Sequence, residues 1–159
     1  MIPSDQIART FQSNAAVGRR QLEGLTHEES LQTPGFNVNP LNWILGHIVN
    51  GRNEALSYLD RPGIFSEDES ECYRTGSERI RPESALELGE LTFRLDAAQA
   101  DLEAVLAAVT EEFLQEVVPT RFGDRPRWQH LSGLAWHETY HVGQLELLRQ
   151  FVLDERSEN

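Results

Sequence analysis

The stretch HETYHVGQL, residues 137–145, sets two histidines four residues apart in a segment whose spacing is that of a core helix. At about 100° per residue, Leu134, His137, His141, Leu145, Leu148 and Val152 fall within roughly 40° of one meridian, the stripe a globular helix turns inward. Two imidazoles thus lie on the apolar face, where each neutral ring would need a buried hydrogen-bond partner and a shared cation removes that need. An i, i+4 pair projects from one side of a helix, so its nitrogens can converge on one ion.

Two protein ligands are seldom enough, and the best third is His47, midway along NPLNWILGHIVNGRNEAL (residues 39–56). The apolar arc of that helix, Leu41, Ile44, Leu45, Ile48, Ala55 and Leu59, centres about 100° away from His47, which therefore flanks the core. Beside it on the wheel lie Trp43, Asn50, Gly51, Glu54 and Tyr58, a mixture of polar and aromatic groups that suits the edge of a pocket. His130 shares the meridian of His137 and His141 but lies two turns from His137, about 10 Å along the axis, too far to share their ion. His27 reads as a loop residue. Gln144, one turn beyond His141, reads either as a hydrogen-bond donor over the site or as a polar helix-edge group.

Around this pair the chain reads as all-α. A first helix runs from about Ser4, after Pro3, to Leu25, with Ile7, Phe11, Ala15, Gly18, Leu22 and Leu25 at three- and four-residue steps. The second opens at Asn39-Pro40, asparagine as cap and proline at the first helical position, and stops near Leu59 before Arg61-Pro62-Gly63. The third follows Pro82 and carries Leu88, Leu91, Leu95, Ala98, Leu102, Val105 and Val109. The fourth spans about Gln129 to Val152, with DERSEN as a solvated tail. The expectation is a single four-helix bundle domain over residues 1–159 with two long connections, 61 to 81 and 110 to 128, which permit parallel neighbours and can cover a site. The second, with Val117-Val118 and then FGDRP, can fold back as a short hairpin.

Composition narrows the function. A chain of 159 residues, 39% hydrophobic and 25% charged, can bury a core without disulfides or metal as staples. The net charge of −12 opposes phosphate backbones, so nucleic acid is not an expected ligand. All 14 basic residues are arginine, which excludes a Schiff-base lysine or a lysine general base. The single cysteine, Cys72, in an acid-rich loop, forms no intramolecular disulfide, and no apolar run approaches a signal-peptide core or a membrane span, so the expected compartment is the cytoplasm.

Other constellations fail. There is no P-loop, G-x-G-x-x-G or G-x-S-x-G, and the E-x-x-H repeat of di-iron bundles is absent. HETYH matches the letters of H-E-x-x-H, but Glu138 points about 60° off the ligand meridian. Downstream of the pair there is no further histidine, and the glutamates are limited to Glu146, Glu155 and Glu158 on the same helix or its tail; no strand is expected to bind a peptide, which argues against a zincin protease.

NWILGHI (42–48) together with HETYHVGQLELLRQF (137–151), with four helices in the right order, resembles the DinB-like superfamily over nearly the whole chain. The resemblance implies a bundle holding a divalent metal on His47, His137 and His141; three imidazoles suit zinc or nickel, with iron or manganese as the alternatives. Some relatives carry a further histidine one turn before the pair, where this chain has Gly133, so the coordination implied is open. Relatives of known chemistry are transferases or isomerases using bacillithiol, mycothiol or glutathione, and dimers are common among them. The expected function is a thiol-dependent S-transferase acting on a small electrophile through a metal-activated thiolate. The alternatives are a hydrolase using metal-bound hydroxide and a non-catalytic, stress-related metal-binding bundle. The expected partners are a small-molecule substrate, a low-molecular-weight thiol and a second copy of the chain, with no membrane. Trp43, Asn50, Glu54, Gln144 and Arg149 are the substrate-binding candidates, Arg149 and more weakly Arg52 being available to meet a carboxylate on the thiol; by default both are solvated surface charges.

Overall fold

The computed structural model describes residues 2–120 and 123–158. Four long helices, α1 (Ser4–Leu22), α3 (Leu41–Ser57), α5 (Leu88–Ala108) and α7 (Arg127–Glu158), form the bundle. Short helices α2 (His27–Ser30), α4 (Glu67–Tyr73) and α6 (Glu111–Gln115) lie between them. The hairpin expected in the second connection is present: β1 (Val117–Val118) pairs antiparallel with β2 (Arg125–Pro126). Phe122 of that stretch lies outside the described residues.

Cross-helix contacts give the direction of each helix. Asn14 Nδ2 donates to Ala135 O and Arg149 Nη1 to Gln21 O, so positions on α1 and α7 advance together and the two are parallel. Asn42 meets Leu86 and Arg52 meets Gln99, which makes α3 and α5 parallel as well. Arg127 reaches Tyr58 O while Arg52 reaches Glu138, so α3 and α7 run antiparallel, and Arg19 on Asp96 sets α1 against α5. Each long helix packs on two others, α1 and α3 each touching both α5 and α7. The topology is thus up-down-down-up. The long connection carrying α4 is what lets α3 and α5 lie parallel side by side, since a short turn between adjacent helices enforces antiparallel packing.

The core divides into two apolar clusters. One joins Leu22, the first half of α3, Tyr73, Leu88–Leu95 and Val142–Leu148. The other joins Ile7, Phe11, Ala55–Leu59, Ala98–Leu106, Leu131 and Ala135. Between them lies a polar belt centred on Arg52, whose exposure is 0%. Its guanidinium is bidentate on Glu138 at 2.7 and 2.9 Å and also donates to Gln99 Oε1 and Phe11 O, so one side chain ties all four long helices. The expectation of a solvated Arg52 is corrected here.

Element ends differ in detail. α1 stops at Leu22, and Gly24 at φ 73° turns the chain toward α2, whose first residue is His27 and whose Thr26–Glu29 capping box replaces the expected loop. Pro40 is the N-cap of α3 instead of its first residue, with Ile44 N donating to Pro40 O. α7 starts at Arg127 and continues through the expected solvated tail to Glu158, because Arg156 donates to Glu29 and to Gly24 O and so docks the last turns on the α1–α2 corner. Cys72 is half-buried on α4, not in a loop. Among the described residues no helix is long and apolar enough to cross a membrane.

Candidate metal centre and adjoining cavity

His47 is held from both sides. Trp43, one turn earlier on α3, stacks on its ring at 4.8 Å with 7° between the planes. Tyr73, at the end of α4, lies so close to α3 that a Cβ at position 46 would fall 2.1 Å from its ring, so only glycine fits there. The Tyr73 hydroxyl donates to Asn42 Oδ1 and accepts from Leu86 N, fixing the residue whose carbonyl receives His47 Nδ1–H at 2.7 Å. With Nδ1 as donor, Nε2 keeps its lone pair.

On α7 the expected i, i+4 geometry is realised. His141 Nδ1 donates to Gln144 Oε1 at 2.6 Å, and Gln144 Nε2 donates in turn to the Tyr140 hydroxyl at 3.2 Å. This tautomer, assigned from the partners, frees His141 Nε2, which faces His137 Nε2 at 3.0 Å. The ligating nitrogens of His47, His137 and His141 all lie within 4.8 Å of one another.

Burial holds the pKa of all three rings below the usual imidazole value, that of His141 down to about 4. For His47 the bond to Tyr73 opposes the shift and His137 adds to it, while the Glu54 carboxylate raises both His47 and His137. Near neutral pH the cluster therefore presents uncharged nitrogens to one another, a surplus of lone pairs over protons. Metal–nitrogen distances of about 2.0–2.1 Å place tetrahedral ligand atoms about 3.3 Å apart, so the observed 3.0 Å is close to a preformed edge. The residues fit a divalent ion.

A cavity of about 390 Å³ opens from this cluster, with His47 and His137 in its wall, in the size range of small-molecule sites. Asn50 and Glu54 line it as expected, Glu54 accepting from the Tyr58 hydroxyl at 2.8 Å. Gly51 and Gly133 stand on its two helical walls with nothing within 4 Å of where a Cβ would be. Gly133 thus leaves room where a fourth imidazole would stand. Trp43 and Gln144 lie outside the lining and act instead by orienting His47 and His141. Arg149 is spent on Gln21 O and Glu23 O at the end of α1, away from the cavity, and Arg52 is spent in the core.

Sequence reasoning missed Thr75, Arg125 on β2, Gln129 and Trp136 as lining groups, set His130 apart from the ion without placing it in the cavity wall, and did not foresee that Glu138 is wholly committed. Complete burial pushes the Glu138 carboxyl upward in pKa and the Arg52 guanidinium counters it, both oxygens accepting from Arg52. H-E-x-x-H here is therefore not a metalloprotease arrangement. The wheel does place Tyr58 with His47 and His130 with His137; only the fold brings those two together, stacked at 4.9 Å.

The profile of the family described as the DinB superfamily matches residues 11–145. No curated protein matches the chain. Among solved structures, a conserved protein from Enterococcus faecalis is similar over 97% of this chain and 99% of its own, with a TM-score of 0.75 and 18% identity, a likeness of fold.

Proposed function

We propose, from the premise that this chain belongs to the DinB superfamily, that it holds one divalent ion on His47, His137 and His141 and transfers a small thiol onto a small electrophile bound in the adjoining cavity. The observation that carries this reading is that two of the three converging imidazoles also form the cavity wall, so whatever occupies the cavity meets the open side of the cluster. Zinc and nickel both suit three imidazoles. A bound ion would supply Lewis acidity, which lowers the pKa of a coordinated thiol or water.

The chain's own groups supply the rest. Glu54, held by the Tyr58 hydroxyl, is the carboxylate at hand to receive the thiol proton. The sulfur electron pair then forms the bond to the electrophilic carbon; a chlorinated carbon loses chloride with the pair of the bond that breaks, and at a maleyl double bond the π pair moves to the α carbon, which takes the proton back from Glu54. Trp136, 71% exposed at the cavity edge, offers an apolar face to the incoming molecule. Asn50 offers an amide to orient it.

The test loads purified protein with zinc or nickel. Glutathione, bacillithiol, mycothiol and coenzyme A are then tried against a chlorinated aromatic and a maleyl-type electrophile. Metal-dependent conjugation with at least one thiol, abolished in His137→Ala, is expected. Ester or amide turnover that needs no thiol would replace the transferase with a hydrolase. Absence of any turnover, with a cobalt-substituted site whose spectrum ignores every thiol, would leave a non-catalytic bundle.

A further inference from the structure

At the end of the cavity remote from the three-histidine cluster, His130 is only 7% exposed, its ring stacks on Tyr58, and its Nε2 is buried without a hydrogen-bond partner among the described residues. Buried ring nitrogens are normally satisfied, and one left without a partner in a residue of the cavity wall points to a group that the described residues do not supply. Two neighbours indicate what that group is. Arg125 lines the same end from β2, and no ion pair to it is found among the described residues. The exposed Gln129 amide, in the first turn of the 32-residue α7, lines the same end, and Arg127 beside it is already paired with Asp60 and Glu116.

We infer that this end of the cavity is a carboxylate subsite: Arg125, His130 and the Gln129 amide receive the carboxylate of the molecule whose other end reaches the histidine cluster. The ligand class is a small organic acid with its reacting centre about 10 Å from its carboxylate, the axial rise from His130 to His137. The placement also answers the charge of the molecule. At −12 the protein repels anions at long range, and the Glu54 carboxylate acts on His47 and His137, so an acid is favoured with its carboxylate at the end that carries Arg125. Arg125, with a planar fork suited to two carboxylate oxygens, sets that sense.

The inference rests on reading the cavity as the substrate room, but its test needs neither metal nor turnover. Binding of 4-phenylbutanoate, 4-phenylbutanamide and 4-phenylbutylamine is measured by calorimetry on metal-free wild type, Arg125→Gln, His130→Phe and His137→Ala. The carboxylate should bind about tenfold more tightly than the amide, with the amine weakest. Arg125→Gln, an exposed position on the hairpin whose change leaves the core untouched, should erase most of that preference. His130→Phe, which keeps an aromatic ring against Tyr58, should reduce it, and His137→Ala should retain it. Equal binding of acid and amide, or a preference that survives both Arg125→Gln and His130→Phe, overturns the subsite. Loss of the preference in His137→Ala alone would do so too, by locating the carboxylate at the histidine cluster. Conjugation failing in every assay while the preference stands would count against the transferase and not against the subsite.

Discussion

At the scale of single residues, the centre depends as much on what holds the imidazoles as on the imidazoles. His47 is aimed by a carbonyl 26 positions away in sequence, and that carbonyl is where it is because Gly46 leaves space for the Tyr73 ring. Gly46→Ala should displace that ring, cost about 1–3 kcal/mol of stability and weaken metal affinity about tenfold or more, read by thermal unfolding and a competitive metal titration. Unchanged affinity would show that Tyr73 does not position His47. The lowered pKa values make a second prediction for the metal-free protein. The unfolded chain protonates its imidazoles near 6.5, whereas folded His141 does so only near 4, so the unfolded state binds more protons across that window. The stability from keeping His141 neutral is therefore complete above about pH 6.5 and is lost as pH falls toward 4. Urea midpoints at pH 7.5 and 5 should differ less in His141→Gln than in wild type; identical differences would contradict it. The i, i+4 pair was legible because that spacing is local, and Glu54, Asn50 and Gly51 were legible because they share a helix face with His47. The Tyr73 carbonyl, Arg125 and the fate of Arg149 were not, since each depends on which loop or helix end arrives from elsewhere in the chain.

At the scale of elements, apolar periodicity located all four long helices, and the length of the connection before α5 announced that adjacent helices could be parallel. Helix ends were less legible. Nothing local says that the acid-rich last turns of α7 continue as helix, because the reason is Arg156 meeting Glu29, 127 positions apart. Arg52 is the sharper case. On its own helix it is one arginine among polar neighbours, and its burial becomes visible only when Glu138, Gln99 and the Phe11 carbonyl converge on it from three other helices. Glu138→Ala should therefore cost about 3–5 kcal/mol by leaving the guanidinium buried and unpaired, while the double change Arg52→Met with Glu138→Leu should recover much of that loss. Chemical denaturation measures both. A single mutant as stable as wild type would show that the belt does not tie the helices.

At the scale of the whole molecule, the two apolar clusters and the belt between them make a complete core, and the histidine cluster lies at one seam of it, between α3 and α7. The centre is therefore not needed to hold the bundle together, and its residues are free to serve a ligand. These three residues, and not His130 at the far end of the cavity, hold the ion in this reading. Elemental analysis of protein purified without added metal, for wild type, His47→Ala, His141→Ala and His130→Ala, tests it most directly. About one divalent ion per chain is expected in wild type and in His130→Ala, and loss of most of it in His47→Ala and His141→Ala. Metal that survives His47→Ala but falls in His130→Ala would contradict it.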